Sequence, residues 1–162
     1  MRLWRLSGRR HGQSLDGGYG LHFNGRWNTI GHRITYCATS PSLCVLEKLV
    51  HIEDPALMPE LVMVAYELPD SHRIETVTLD ELPANWRWNE TLTQEKGDDW
   101  LESASTPLLK VPSVIVAIAS SPDVNVLINH NHPDAAVIQI AAVEPFMLDS
   151  RLYDRKFEIP PR

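Results

Sequence analysis

The chain has 162 residues, of which 43% are hydrophobic and 22% are charged, so it can fold around a buried core. Its formal net charge is -6 and it has no long basic run, which argues against direct binding of nucleic acid. Two cysteines are too few for a disulfide framework, and no segment resembles a signal peptide or a membrane span. We therefore predict a single cytoplasmic domain over residues 1–162 that has no membrane partner.

Predicted strands outnumber predicted helices, and the two do not alternate regularly. Seven of the 8 glycines fall within residues 7–31, which we predict to form a long loop. Residues 125–134 are predicted to form a turn-rich connection. Helices are predicted over residues 41–50 and around 93–103, and strands over residues 3–6, 34–38, 61–68, 74–77, 111–117, 136–142 and, as the last one, 144–149. This pattern favours an α+β domain built on a mixed or antiparallel sheet.

One predicted helix places a carboxylate among apolar residues. Leu43, Leu46 and Val50 fall at positions i, i+3 and i+7 and so form one apolar stripe, and Glu47 occupies position i+4 of that stripe. A carboxylate on a buried face is costly unless it is paired or hydrogen-bonded. We therefore expect a cationic partner for Glu47, and Arg26 is the candidate, either in a structural ion pair or in an active site.

Arg26, Tyr36 and Glu47 form the first candidate site. An arginine in a glycine-rich loop offers a planar fork to phosphate or carboxylate, and the tyrosine of the next strand offers a ring face and a hydroxyl. A helical glutamate can stabilise positive charge or orient a hydroxyl. Together they suit a phosphate-bearing substrate whose reaction develops cationic character. The spacing leaves open the alternative of a buried Arg26–Glu47 pair beneath a core tyrosine.

Three other groups are weaker candidates. Ser113 follows a proline and lacks a Gly-x-Ser-x-Gly elbow, which is typical of a turn cap and not of a nucleophile. His130 and His132 lie in a polar segment without a Cys/His pair at zinc spacing, so we predict no metal site, with a metal-dependent nuclease as the open alternative. The tryptophans at positions 86, 88 and 100 could stack on bases, but core packing is favoured in an acidic chain.

Several segments, in order, resemble the RES domain family, which is named after an Arg, a Glu and a Ser. The most specific match is the region that contains Arg26, Tyr36 and Glu47. A departure occurs at His130, where the family often has proline. The matching segments are Gly25-Arg26-Trp27-Asn28 with Gly31, Ile34-Thr35-Tyr36, Leu46-Glu47-Lys48-Leu49 with His51, Gly97-Asp98-Asp99-Trp100-Leu101, Leu109-Lys110-Val111-Pro112-Ser113, Asn125-Val126-Leu127-Ile128-Asn129, His132-Pro133 and Asp149-Ser150-Arg151-Leu152.

The resemblance implies a fold similar to that of ADP-ribosyltransferase toxins, and a toxin of a bacterial toxin–antitoxin pair that acts on NAD. It implies that the catalytic residues are Arg26, Glu47 and Ser113. It also implies that NAD is bound by Arg26, Tyr36 and Ser113, and that no metal takes part. The implied reaction is cleavage of the nicotinamide–ribose bond by water or by inorganic phosphate. The alternatives are a protein ADP-ribosyltransferase and a non-enzymatic binding module with a structural Arg26–Glu47 pair. The implied partner is an Xre-like antitoxin with a helix-turn-helix module.

The family chemistry also suggests a role for each residue. Cleavage of a glycosidic bond develops an oxocarbenium-like centre, and Glu47 would stabilise its charge. Arg26 would bind the pyrophosphate, Tyr36 would pack on the nicotinamide or the ribose, and Ser113 would hydrogen-bond the substrate.

Overall fold

The computed structural model describes residues 1–52, 54 and 57–153. Its strands are β1 (Arg2–Gly8), β2 (Ile34–Ala38), β3 (Leu61–Glu67), β4 (Ile74–Thr76), β5 (Leu108–Val111), β6 (Asn125–Asn129) and β7 (Gln139–Phe146), and its helices are α1 (Pro41–Leu49) and α2 (Glu90–Ser103). The strands form one sheet in the order β4-β5-β6-β2-β1-β3-β7, in which β4 and β5 are parallel and all other neighbours antiparallel. The predicted α+β class with a mixed sheet is confirmed.

Strand β6 is an interior strand of the sheet and is buried on both faces. Val126 and Ile128 pack in one apolar cluster, and Leu127 packs in another, because successive side chains of a strand point to opposite faces. All three residues are fully buried. The prediction of a turn-rich connection is therefore wrong for residues 125–129, where asparagines at both ends obscured a short apolar run.

The strand predicted over residues 111–117 is also wrong, because β5 ends at Val111. Pro112 has no N–H group to extend the sheet ladder. Next to it, the Oγ atom of Ser113 accepts hydrogen bonds from the backbone N–H groups of Ile115 and Val116 at 3.0 and 3.1 Å. These bonds fold the chain into a turn. Ser113, which was expected near the start of a strand, therefore lies in a turn after the end of β5.

The two strands predicted near the C-terminal end are a single strand. A 3-10 turn occupies Pro133–Val137, and β7 then runs from Gln139 to Phe146, with one register shift opposite Ala65 and Tyr66 of β3. Pro145, opposite Val62, does not end this strand because β7 is an edge strand, where a missing N–H group can face away from the ladder.

The buried face of α1 differs from the predicted stripe. Leu43 and Cys44 are buried, whereas Leu46 is 38% exposed and Val50 is 61% exposed. Glu47 lies one turn after the two buried residues and is itself half-buried. The carboxylate therefore stands at the border between the core and an open surface.

Two smaller predictions about the core are settled by burial. Cys37 and Cys44 are free, buried thiols, as expected from their number. Trp86 and Trp100 are core residues, as predicted, whereas Trp88 is 89% exposed.

In the described ranges, no helix is both long and apolar enough to cross a membrane.

Strands β1 and β2 are joined at one end only. Trp4 lies opposite Ala38, whereas β1 pairs with β3 along its whole length and β2 pairs with β6 along its whole length. Beyond the Trp4–Ala38 pair the two strands separate, and residues of both line one cavity. The sheet is thus split between its two central strands, and the long loop between residues 9 and 33 lies beside the split.

Asn129 links the end of β6 to the surrounding chain. Its Nδ2 atom donates to the carbonyl oxygen of Leu101 at 3.0 Å, and its Oδ1 atom accepts from the backbone N–H of Asn131 at 3.0 Å. Since the side chain is fully buried, we predict that Asn129→Ala lowers the free energy of unfolding by about 1–3 kcal/mol. Urea denaturation measures this change. Asn131→Ala removes an exposed side chain and is the control, with an expected change below about 0.5 kcal/mol; equal effects of the two variants would contradict the prediction.

Candidate active site

A cleft of about 1170 Å³ opens where β1 and β2 separate. Arg26, Tyr36 and Glu47 line it, and they come from the loop before β2, from β2 itself and from α1. Ser113 is fully buried beneath the wall that its neighbour Pro112 forms. The structure therefore brings the four predicted site residues to one region of the molecule.

The carboxylate of Glu47 is held through one of its two oxygens. Its Oε1 atom accepts hydrogen bonds from Oγ of Ser113 at 2.9 Å and from Nδ2 of Asn125 at 2.7 Å. Within the described ranges, no residue donates a hydrogen bond to its Oε2 atom. One oxygen is thus fixed by the protein, and the other remains available to a ligand in the cleft.

Ser113 is committed to this arrangement by its position in the turn after β5. The two backbone N–H groups that follow it occupy the lone pairs of its hydroxyl oxygen, so the hydroxyl proton points to Glu47. Ser113 therefore contacts Glu47 and not the open cleft.

Asn125 is a site residue whose role sequence reasoning missed. It was part of a matching segment but had no assigned function. In the sheet it lies opposite Ala38, next to the end of the split, and its amide reaches Glu47. A polar residue at the start of an otherwise apolar strand was the available signal, but the strand itself had been predicted as a turn.

The Arg26 guanidinium is held by main-chain oxygens and by an aromatic ring. Its Nη2 atom donates to the carbonyl oxygens of Trp86 and Arg87, and the group lies 5.7 Å from the centre of the Trp86 ring. Its Nε atom is buried and has no partner among the described residues. The ion pair with Glu47 that the spacing allowed is not found in the described part of the chain. Among the described residues, no carboxylate lies within ion-pair distance of Arg26 at the cleft.

Tyr36 presents its ring to the cleft, while its hydroxyl is occupied. The hydroxyl donates to Oδ1 of Asn28 at 2.7 Å and accepts from the backbone N–H of Trp27 at 2.9 Å. Burial raises the pKa of this phenol well above its ordinary value, so it stays protonated at neutral pH. The hydroxyl secures the loop that precedes β2, and the ring remains for contacts with a ligand.

The loop that contains Arg26 is anchored on α2. A Cβ atom added to Gly97 would lie 1.8 Å from the carbonyl oxygen of Trp27, so only glycine allows this close approach. One residue later, Asp98 accepts hydrogen bonds from the backbone N–H and the hydroxyl of Thr29 at 2.9 and 2.7 Å. The position of Arg26 thus depends on α2. Glu90 is the one residue of this helix that lines the cleft.

His130 and His132 have separate structural contacts. The Nε2 atom of His130 shares a hydrogen bond of 2.8 Å with the hydroxyl of Thr35, and the Nδ1 atom of His132 accepts from the backbone N–H of Asp134 at 3.1 Å. In the part of the chain that the structure describes, no three His, Cys, Asp or Glu side chains are grouped so as to hold a metal ion. Each of the two histidines thus has its own hydrogen-bond partner.

Comparison with known proteins identifies the family of the chain. The family model of the RES domain matches residues 2–149. The protein named Toxin Res from Pseudomonas putida is 39% identical over 158 residues, which cover 94% of this chain and 100% of that protein. The Prs ADP-ribosylating toxin from Sphingobium sp. is 36% identical over 132 residues, which cover 79% and 80% of the two chains.

A solved structure shows the same fold. The toxin–antitoxin complex MbcT–MbcA of M. tuberculosis contains a chain that matches with a TM-score of 0.71 at 17% identity, covering 95% of this chain and 87% of that chain. The chain described here belongs to the RES domain family and is a toxin of that family. The resemblance found in the sequence is confirmed.

We predict that Gly97→Ala lowers the free energy of unfolding by more than about 1 kcal/mol, because the added methyl group must displace the loop at Trp27. Thermal and urea denaturation measure the change. Lys96→Ala, on the exposed side of the same helix, is the control and is expected to stay within about 0.5 kcal/mol of the wild type. A Gly97→Ala protein as stable as the wild type would show that the loop does not pack tightly on α2.

Stability should also depend on pH through His130. Burial lowers the pKa of this imidazole to about 4, and the unfolded value is about 6.5. Between these values the unfolded chain binds a proton that the folded chain does not, so the free energy of unfolding should fall as the pH drops from 6.5 towards 4. Urea denaturation at several pH values in this range measures the free energy of unfolding. This free energy should change less with pH in His130→Asn than in the wild type. Asn131→Ala, which removes an exposed side chain and no titratable group, should keep the pH dependence of the wild type, and a wild-type pH dependence in His130→Asn as well would contradict the assignment.

Proposed function

We propose that this toxin is an enzyme that consumes NAD by cleaving the bond between nicotinamide and ribose. The proposal rests on one observation: Glu47 lines the cleft with a carboxylate that Ser113 and Asn125 hold through a single oxygen. Such a group has a fixed direction and keeps one oxygen for the substrate.

The chemistry of the bond explains why a fixed carboxylate is useful. As nicotinamide leaves, positive charge develops on the anomeric carbon and ring oxygen of the ribose, as in glycoside cleavage. A carboxylate that is already oriented towards this centre stabilises the charge without reorganisation during the reaction. Glu47 has this role in the proposal, and its Oε2 atom meets the ribose, either at the cationic centre or at a ribose hydroxyl.

The other residues bind the substrate or position Glu47. The Nη1 atom of Arg26, which has no hydrogen-bond partner among the described residues, suits the pyrophosphate, since a guanidinium N–H group donates a strong charge-assisted hydrogen bond to a phosphate oxygen. The ring of Tyr36 packs on the nicotinamide or the ribose. Ser113 acts through Glu47, since it is fully buried and its hydroxyl has three partners. Arg26 and Glu47 are thus the proposed catalytic residues, and Ser113 is a positioning residue.

Water and inorganic phosphate are the two acceptors that we propose for the ribosyl cation, and neither requires a metal. A protein acceptor is the second candidate, because a relative that is 36% identical is named as an ADP-ribosylating toxin. We further propose that an antitoxin binds this chain, as the toxin–antitoxin complex of the structural neighbour supports. The cytoplasm is the proposed compartment. An Xre-like protein with a helix-turn-helix module is the expected form of this partner.

Incubation of the purified protein with NAD tests the proposal. Release of nicotinamide with ADP-ribose indicates hydrolysis, a phosphorylated ADP-ribose that appears only with added phosphate indicates phosphorolysis, and label transferred to protein indicates ADP-ribosylation. We predict that Glu47→Gln lowers the rate of nicotinamide release at least about 100-fold, because the shape is kept and the charge is lost. Absence of turnover under every condition would refute the enzymatic proposal.

Two further variants make the assignment sharper. Glu95→Gln removes a carboxylate from an exposed position of α2 and should turn over NAD like the wild type. Ser113→Ala should lower kcat by a smaller factor than Glu47→Gln and leave KM for NAD unchanged, because it frees Glu47 to rotate without removing a substrate contact. If folded Glu47→Gln released nicotinamide at the wild-type rate, the role of Glu47 would be wrong.

A further inference from the structure

Two aromatic side chains at the cleft are stacked on each other and remain largely in solvent. The rings of Tyr19 and Phe23 have centroids 4.8 Å apart and planes inclined by 25°. Tyr19 is 58% exposed and Phe23 is 55% exposed, and both line the cleft. A stacked pair packs only one face of each ring against the other ring, so aromatic surface remains for a third flat group.

This pair lies at the opposite end of β2 from Glu47. Gly20, next to Tyr19, approaches Ile34 at the start of the strand so closely that an added Cβ atom would be 2.5 Å from its side chain. Glu47 is bonded to Asn125, which lies opposite Ala38 at the end of the strand. The two ends are four residues apart, which corresponds to about 13 Å at the usual rise of a strand.

The Arg26 loop contacts the side chain of the residue midway between these ends. A Cβ atom on Gly25 would lie 2.5 Å from the hydroxyl oxygen of Tyr36, which is the central residue of β2. Along the cleft, the protein therefore offers a carboxylate, then a guanidinium whose Nη1 atom has no hydrogen-bond partner among the described residues, then a pair of stacked rings. This order matches a molecule with a reactive ribose at one end, a pyrophosphate in the middle and a flat base at the other end.

We propose that Tyr19 and Phe23 form a stacking platform for the adenine ring of the dinucleotide. The identity of the ligand rests on the proposed function, whereas the platform itself rests on the exposed pair. Aromatic side chains bind nucleobases by stacking on their π faces. Other aromatic residues fit this role less well, since Trp27 is 1% exposed and the exposed Trp88 is not among the residues that line the cleft.

Binding to each half of the substrate tests the platform. Calorimetry should measure the affinity of the wild type and of the double variant Tyr19→Ala/Phe23→Ala for ADP-ribose, which contains adenine, and for nicotinamide mononucleotide, which does not. We expect the double variant to bind ADP-ribose at least about tenfold more weakly and nicotinamide mononucleotide as the wild type does. Tyr19→Phe, which keeps both rings, should bind ADP-ribose normally.

Met147→Ala is the matched control, because it removes a side chain that is 90% exposed and does not line the cleft. A melting temperature for each variant identifies any loss of folding. The platform is refuted if the wild type does not bind ADP-ribose, if the double variant binds it with wild-type affinity, or if both ligands are weakened equally, since the last result would place the nicotinamide half on the rings.

NAD turnover measured on the same samples separates this inference from the proposed function. A wild type that binds ADP-ribose through Tyr19 and Phe23 but leaves NAD intact supports the platform and refutes the catalytic proposal. A wild type that cleaves NAD, beside a double variant with unchanged affinity for ADP-ribose, refutes the platform alone.

Discussion

The site depends on the way in which β1 and β2 separate. Each strand has a full partner on its outer side, so the two can part after the single pair of Trp4 and Ala38 without losing their place in the sheet. Where the ladder between two strands is interrupted, the backbone N–H and C=O groups need other partners. The loop between β1 and β2 provides such a partner, since the carbonyl oxygen of Gly17 accepts a hydrogen bond from the backbone N–H of Ile34. The cleft therefore results from the strand pairing itself, and residues from several distant segments of the chain line it.

Glu47 shows how the same fold keeps a carboxylate at the edge of the core. A half-buried charge loses hydration, and the bonds from Ser113 and Asn125 offset part of that loss. The serine is available only because Pro112 ends β5 and the next two amides fix the hydroxyl. A strand that continued through this segment would alternate its side chains between the two faces of the sheet and would not bring these amides to the serine hydroxyl.

The predictable parts of the molecule were those with local signals. The strand at Ile34–Ala38 and the helix from Pro41 follow from composition, periodicity and capping, and both agree with the structure. The buried strand at Asn125–Asn129 was missed because a short apolar run between asparagines has no helical or alternating period. The partners of Arg26 and Glu47 could not be found from spacing, since main-chain carbonyls carry no sequence signal and the amide of Asn125 reaches Glu47 only through sheet register.

The contact between Arg26 and the carbonyl oxygen of Arg87 places an unusual requirement on the chain. Every residue type has a carbonyl oxygen, and the Arg87 side chain is exposed, so this contact tolerates any side chain that keeps the local backbone path. Insertion or deletion of one residue between Trp86 and the start of α2 would instead shift the carbonyl relative to the guanidinium. Position 87 is therefore constrained by the length of the segment and not by its own side chain, whereas the Trp86 ring packs beside the guanidinium and the Asn89 side chain caps α2. A comparison that scores side chains alone would class Arg87 as freely variable, although its carbonyl oxygen holds Arg26.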